Sequence, residues 1–264
     1  DGLMYIVTGG AGFIGSNIVA GLNHRGLTNV IVVDDLEDGA KVSNIMDLDF
    51  SDYLDKTLFL KKVIKDGLPK ETCIVFHQGA CSDTTVTDGH FMMENNFTYS
   101  KYLYEACCRC DVPFVYASSA SVYGGSQVFE ELSEHENPLN VYALSKLIFD
   151  RYVRIRESSR TNQVVGLRYF NVYGAREQHK AHMASVAFQL FNQYETTGQV
   201  RLFGASGVYG DGEQRRDFIS IEDVVSANLF CMDHPNLDPD CTIRPILWDR
   251  VFSKKKKQTG FQLR

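Results

Sequence analysis

The sequence predicts an α/β fold built around a doubly wound parallel sheet. Three observations predict it. Short runs rich in β-branched residues alternate with stretches of helical periodicity, the pattern of parallel strands joined by right-handed crossovers. The first such run passes directly into a glycine-rich turn and then a helix. Each later run ends in small or polar residues rather than in a hairpin turn.

Taken in order, Met4 to Thr8 is a β-rich run, Gly9 to Gly15 the turn, and Ser16 to Asn23 a helix with apolar residues at helical spacing. A second strand, Val30 to Val33, ends in Asp34-Asp35. The segment Ile45 to Phe50 is an ambiguous third element. Further strands are expected at Cys73 to Phe76, Phe114 to Tyr116 and Gln163 to Tyr169. They lead into His77-Gln78-Gly79-Ala80, Ala117-Ser118-Ser119 and Phe170-Asn171. The clearest helices are Asn96 to Cys107 and Val141 to Arg156. No internal repeat or long linker interrupts the chain.

Composition bounds the function. The 264 residues (29.8 kDa) suffice for one large α/β domain, or one with a smaller lobe. A hydrophobic fraction of 44%, a charged fraction of 23% and only 6 Pro exclude a disordered or collagen-like chain. No apolar run approaches the ~18 residues of a membrane span, so no membrane partner is expected. No charged-then-apolar leader is read, which sets the expectation of a cytoplasmic protein. A net charge of −6 argues against a nucleic-acid-binding surface. Cys73, Cys81, Cys107, Cys108, Cys110, Cys231 and Cys241 are scattered without the spacing of a disulfide framework, and fit a reducing compartment. The Cys107-Cys108-Arg109-Cys110 cluster has no second ligand pair elsewhere, so it reads as small core residues beside a turn and no metal is expected.

Two constellations carry chemistry. Gly9, Gly12 and Gly15 follow a strand and open a helix, where missing Cβ atoms let a pyrophosphate approach the helix N-terminus. Asp34 closes the second strand at the distance expected of a carboxylate that binds an adenosine ribose. Lys41 lies seven residues on; it is either a partner for a 2′-phosphate or an ordinary solvated lysine, which leaves NAD and NADP both open. The second constellation is Tyr142 and Lys146, four apart on one helix face, with Ser119 at a strand end. An ammonium beside the phenol is expected to lower the tyrosine pKa, and a tyrosine so tuned exchanges a proton at a carbinol while a nicotinamide exchanges the hydride.

The ordered segments TGGAGFIG, SSASVYG, YALSK and RYFNVYG resemble the extended short-chain dehydrogenases/reductases that act on nucleotide sugars. HQGACSDTT, MMENN, FNVYGAREQHKAHMASVAF and RRDFISIEDV are similar to an epimerase branch of that group whose substrate is an ADP-linked heptose of lipopolysaccharide inner-core assembly. The resemblance runs from Met4 to about Asp233, and the His179-Lys180 segment is its most specific part. It implies a Rossmann-type NADP-binding domain over 1–170 and a smaller substrate lobe over 171–264, with a segment near 217–232 returning to the first domain. It implies NADP as cofactor, NAD being the alternative, held by Phe13, Ile14, Asp34, Asp35, Lys41, Lys56, Gln78, Gly79, Ala80, Cys81, Ser82 and Asn95, with Lys146 and Val172. It makes Tyr142 one acid/base, Lys146 its electrostatic partner and Lys180 a second acid/base on the other side of the sugar. Asn171, His182, Gln189, Phe203, Gly204, Ala205, Ser206 and Arg216 would line the substrate pocket. The group often carries Ser in place of His182 and His in place of Gln189. It also forms ring-like homo-oligomers, with a pentamer implied here.

Two acid/base groups suit an inversion. Oxidation to a carbonyl removes the stereocentre, and the ketone must then present its other face, where a second group returns the proton. Competing expectations are a nucleotide-sugar 4-epimerase, which would not need Lys180, and a non-catalytic NADP-binding protein. A dehydratase is disfavoured because Ala120-Ser121 stand where its Asp-Glu pair would be. His179 is read as a positioning loop histidine in preference to a base. Arg216, after Arg215, is read as a pyrophosphate clamp, and Tyr123 and Tyr173 as packing. Beyond Asp240 the resemblance stops. Residues 241–264, with Lys254 to Lys257, read as an aberrant tail that truncates the substrate lobe. Ile246 to Phe252 can be encoded by DNA whose shifted frame gives Phe-Cys-Gly-Thr-Gly-Phe, so a frameshift is the expected origin.

Overall fold

The computed structural model describes residues 2–126, 128–130, 132–207, 209–235 and 243–245. The expected tail, apart from 243–245, lies outside the described residues, and so does Cys241. The main sheet is seven parallel strands. In chain order these are β1 (Met4–Thr8), β2 (Val30–Asp34), β3 (Asp52–Asp55), β4 (Thr72–His77), β5 (Phe114–Ser119), β6 (Val164–Tyr169) and, after a separate pair, β9 (Ile243–Pro245). The pair is β7 (Asn171–Tyr173) with β8 (Phe218–Ser220). Their order in the sheet, β3-β2-β1-β4-β5-β6-β9, reverses direction between β1 and β4. That reversal opens a crevice at the carboxyl ends of those two strands, the place where such sheets take ligands.

Alternation along the strands makes the two layers. Val7, Val30, Val32, Ile74, Phe76, Val115 and Val165 face one core, closed by α1 (Phe13–His24) and α7 (Ile221–Asp233). Ile6, Ile31, Val33, Val75, Phe114, Tyr116 and Val164 face the other. It is closed by α2 (Lys56–Asp66), α4 (Tyr99–Arg109) and α5 (Val141–Ile155). Strands buried on both faces read as continuous apolar runs, which is why they are legible. Helices α1 and α7 pack so closely that a Cβ on Gly21 would lie 2.6 Å from a Val225 methyl. Thus the 221–233 helix lies on the first helix of the chain.

Two sequence expectations shift. Ile45 to Phe50 is not a strand; the third strand is Asp52–Asp55, whose unpromising composition is recruited by the free edge of β2 through the register Ile31↔Asp52 to Asp34↔Asp55. The helix expected from Asn96 begins earlier, as α3 (Gly89–Met93), and passes through a π turn at Glu94–Thr98 into α4. Asn96 sits in this turn, buried, and its side-chain amide accepts from Cys81 N–H at 2.8 Å and donates to Cys81 O at 2.9 Å. Such π turns recur at functional positions. No described helix is long and apolar enough to cross a membrane.

Helix α6 (Val186–Thr197) differs from the rest. It buries no residue, and Phe191 and Tyr194 stand in solvent.

Candidate active site

The turn after β1 fits a pyrophosphate. A Cβ on Gly15 would sit 2.0 Å from Gly9 O, and one on Gly9 2.7 Å from Gly79 N, so neither position admits a side chain. Gly9 also has φ +66°, the left-handed region. Helix α1 starts after Gly12 with no side-chain cap and no acid in its first turn, leaving its N–H groups to an anion.

At the ribose end, Asp34 is buried and already engaged. Its Oδ2 accepts from Ala11 N–H at 2.8 Å, and its Oδ1 from Asp35 N–H at 2.8 Å and Lys41 Nζ at 3.0 Å. Lys41 also pairs with Asp35 at 3.0 Å, and Lys56 with Asp35 at 2.6 Å. Burial works against both charge types here. The two lysines nevertheless hold the Asp35 carboxyl below its usual value, and Asp34 and Asp35 hold Lys41 above its own. Lys41 is therefore no free solvated chain. Lys56 further donates to Asn95 Oδ1 at 3.3 Å, which brings Asn95 beside this end.

The strand-end segment 78–82 is anchored by a directional chain of hydrogen bonds that sequence reasoning missed. Gly79 N–H donates to Thr8 Oγ1, which lies 2.6 Å from His77 Nδ1; His77 Nε2 lies 2.7 Å from Ser100 Oγ, which donates to Asn96 O. Since Ser100 uses its proton on Asn96, His77 carries hydrogen on Nε2 and accepts on Nδ1. Burial, with Lys146 adding to it, lowers the His77 pKa to about 3, so the ring is neutral. Gln78 is fixed in turn by Tyr169 and Asn228.

Ser119, Tyr142 and Lys146 meet on β5 and α5. Asn140 caps α5 by accepting from Ala143 N–H, which starts the helix one residue before Tyr142. Ser119 Oγ accepts from Ser121 N–H and Oγ and is the side chain that acts on the Tyr142 phenol. The expectation that Lys146 lowers the phenol pKa is corrected. Burial raises it, and the opposing contribution comes from Ser119. Lys146 Nζ instead donates to Ala117 O at 2.8 Å, and burial lowers its pKa to about 8 against the pull of Asp150 and Cys81. Asp150 sits one turn further along α5, buried, bonded by Ser118, Tyr116 and Arg168. Arg168 reaches on to Glu136 at 2.5 Å. This buried network under the lysine was not anticipated; the signal available was Asp150 itself, at i+4 from Lys146 on a face otherwise apolar.

The third part is the segment after β7. Lys180 Nζ lies 5.8 Å from the centre of the Phe13 ring, at the start of α1. Burial lowers its pKa, with Glu177 opposing. Buried Glu177 accepts from Gly174 N–H, Ser185 N–H and Ser185 Oγ, and so shapes the segment around Lys180. His179 Nδ1 accepts from Asn44, and burial lowers its pKa, both of which suit a positioning role. Gln189 donates to His182 O and Ala184 O, so the two inexact family positions are themselves joined. Asn171, with Val172 beside it on β7, is tied to Asp217 O. Around Phe203 to Ser206, Gly204 O accepts from Gln214 and Ala205 N–H donates to Asp211, in an exposed loop. Arg216 bonds only the neighbouring Arg215 O among the contacts described. Among the described residues no three His, Cys, Asp or Glu converge as a metal site.

A glycine turn at the switch point of a parallel sheet, with Ser119, Tyr142 and Lys146 beyond it, defines a nicotinamide-dependent enzyme of the short-chain dehydrogenase type. The comparisons narrow this: the chain belongs to the NAD dependent epimerase/dehydratase family, which it matches over residues 5–243. It is 54% identical over 232 residues to the ADP-L-glycero-D-manno-heptose-6-epimerase of Thiobacillus denitrificans, covering 88% of this chain and 70% of that relative. The crystal structure of the Helicobacter pylori ADP-L-glycero-D-manno-heptose-6-epimerase superposes with a TM-score of 0.77 at 34% identity, over 88% of this chain and 73% of the other. The Thermus thermophilus UDP-glucose 4-epimerase, solved with NAD, gives a TM-score of 0.71 at 28% identity, over 92% and 77%.

Proposed function

We propose that this enzyme interconverts the D-glycero and L-glycero epimers of ADP-manno-heptose by oxidation and re-reduction at one carbinol carbon. The observation that carries the reading is the placement of Lys180. A second ionisable group from a separate segment stands against Phe13, at the cofactor turn, while Tyr142 approaches from α5. A dehydrogenase needs only one such group; two on separate segments suit a ketone that is protonated on either face.

The residues fit a dinucleotide: the Gly9–Gly15 turn for its pyrophosphate, Lys41 and Lys56 for a 2′-phosphate, and segment 78–82 with Lys146 for the nicotinamide half. We favour NADP because two ammonium groups already converge on Asp35, while Asp34 is occupied in bracing Ala11 and Asp35. A nicotinamide bound here supplies the hydride acceptor and then the hydride donor. Tyr142, aligned by Ser119, exchanges a proton with the carbinol oxygen in one orientation of the sugar. Lys146, held by Ala117 O, contributes an ammonium to the nicotinamide side of the site. Lys180 exchanges the proton when the ketone presents its other face. Its pKa, lowered by burial, brings an ammonium nearer to working pH. Asn171, His182, Gln189, residues 203–206 and Arg216 are the proposed sugar-nucleotide contacts, and lipopolysaccharide inner-core assembly is the proposed destination of the product.

The test is incubation of the purified chain with ADP-D-glycero-D-manno-heptose, no cofactor added, and chromatographic separation of the epimers. Interconversion is expected. Retention of a bound dinucleotide without interconversion of this sugar, but with turnover of a UDP-hexose, would replace the reading by a 4-epimerase.

A further inference from the structure

Lys180 does not stand on a strand or a long helix. It is carried by a short 3-10 segment, Gln178–Met183, kinked at Ala181, in a stretch with two non-glycine residues at positive φ, Arg176 at +75° and Ala181 at +47°. Side chains keep such conformations only where their surroundings hold them. Beside the Glu177 bonds within the segment, the contacts that hold it come from the cofactor-binding half of the molecule.

Asn44 is buried. Its Nδ2 donates to Ala11 O in the glycine turn at 3.0 Å and to His179 Nδ1 at 2.9 Å. Its own carbonyl accepts from Arg176 Nη1 at 2.6 Å, and the Arg176 guanidinium closes a fork on the Asp47 carboxylate at 2.8 and 2.6 Å. Asn17, on α1, joins Phe13 O at 2.8 Å to Ala175 O at 2.9 Å. Ala175, Arg176 and His179, all within five residues before Lys180, are thus tied to the turn that takes the pyrophosphate and to the segment that carries Lys41. A bidentate guanidinium fixes direction as well as distance, which a single ammonium contact does not.

We propose that Asn44 and Arg176 are positioning residues for Lys180, clasping its loop to the cofactor turn so that the second proton-transfer group takes its place only on a correctly formed dinucleotide site. The inference rests on the reading of Lys180 as an acid/base group.

The test uses the full chain and the variants Arg176→Met, Arg176→Lys, Asn44→Ala and Lys180→Met. The readouts are epimer interconversion, bound dinucleotide, and the rate at which each epimer separately reduces the bound nicotinamide, followed by its near-ultraviolet absorbance. Thermal melting identifies variants that fail to fold. Arg176→Met and Asn44→Ala are expected to lower kcat roughly 10- to 100-fold, the cost of misplacing a reacting group by about 1 Å, with KM and bound dinucleotide little changed in Arg176→Met, whose side chain does not touch the glycine turn. The loss should fall on the same epimer that Lys180→Met impairs, because the other is oxidised through Tyr142. Arg176→Lys should restore part of it. Equal slowing of both epimers, or kcat within twofold of the parent in folded Arg176→Met and Asn44→Ala, overturns the clasp. Full activity of Lys180→Met is a separate result, which overturns the acid/base reading beneath it.

Discussion

The two proposed proton-transfer groups are held in opposite ways. Tyr142 belongs to a fifteen-residue helix seated on the sheet, with Ser119 at its phenol and a buried Asp150–Arg168–Glu136 network below. Lys180 belongs to a short loop held by polar clasps and followed by a helix that buries nothing. One group is part of the core, and the other is placed from outside it. An enzyme that must let a ketone turn over between its two groups gains from this arrangement, since one wall stays fixed while the other can yield.

The sharpest way to break the comparison is to remove each group. Tyr142→Phe and Lys180→Met are each expected to cut interconversion ~100-fold or more, the scale of losing a general acid or base. A loss below about threefold for either one removes that residue from the mechanism. Both variants should keep their dinucleotide, because neither residue holds the pyrophosphate.

Asp150→Asn separates the rigid half from the loop half. Removing one partner of a buried ion pair costs about 3 kcal/mol, read from urea unfolding. It also acts on chemistry. Lys146 loses its ammonium as pH rises past about 8, so activity should fall along an alkaline limb near that value. Asp150 supports the ammonium, and its neutral replacement should move the limb to lower pH. Stability runs the other way. The folded-state pKa lies below the ordinary 10.5, so the unfolded chain binds more protons between about 8 and 10.5 and stability rises with pH across that window. A limb that stays in place in Asp150→Asn assigns it to a different group.

The same contrast explains what the sequence discloses. Strands β1, β2, β4, β5 and β6 are legible because burial on both faces makes them continuous apolar runs. The glycine turn and the Tyr142/Lys146 pair are legible because regular geometry fixes their spacing. Strand β3 is not, since an Asp-Tyr-Leu-Asp run becomes a strand only through the edge of β2. Asn44, Arg176 and Glu177 are hidden for a related reason. The contacts of Asn44 and Arg176 join positions as much as 135 apart in the chain, and those of Glu177, though local, close an irregular loop, so no periodic pattern announces them. Asn96 was within reach, being next to the Asn95 read as a cofactor contact, but nothing local says which amide of the pair turns inward to clamp Cys81.

At the ribose end the comparison is one of charge. Lys41→Glu should weaken NADP binding about tenfold or more, with a smaller effect on NAD, because a charge-assisted phosphate contact is replaced by repulsion. Fluorescence titration of dinucleotide-free protein with both cofactors checks this. Equal weakening of the two would mean that Lys41 serves only to neutralise Asp34 and Asp35.

The smallest effect sharpens the contrast most. Phe114 is fully buried between β4, β6, α4 and α5, and stacks against His77 and Tyr116, so Phe114→Ala should cost about 4 kcal/mol through the cavity it leaves. Phe191 on α6 is 60% exposed, and Phe191→Ser should change unfolding stability by no more than about 0.5 kcal/mol. Two phenylalanines of equal hydrophobicity then differ about eightfold in effect because one is in the rigid half and the other beyond the loop half. A loss near 2 kcal/mol for Phe191→Ser would show that α6 is covered in solution, and that the wall carrying Lys180 is firmer than its short segments suggest.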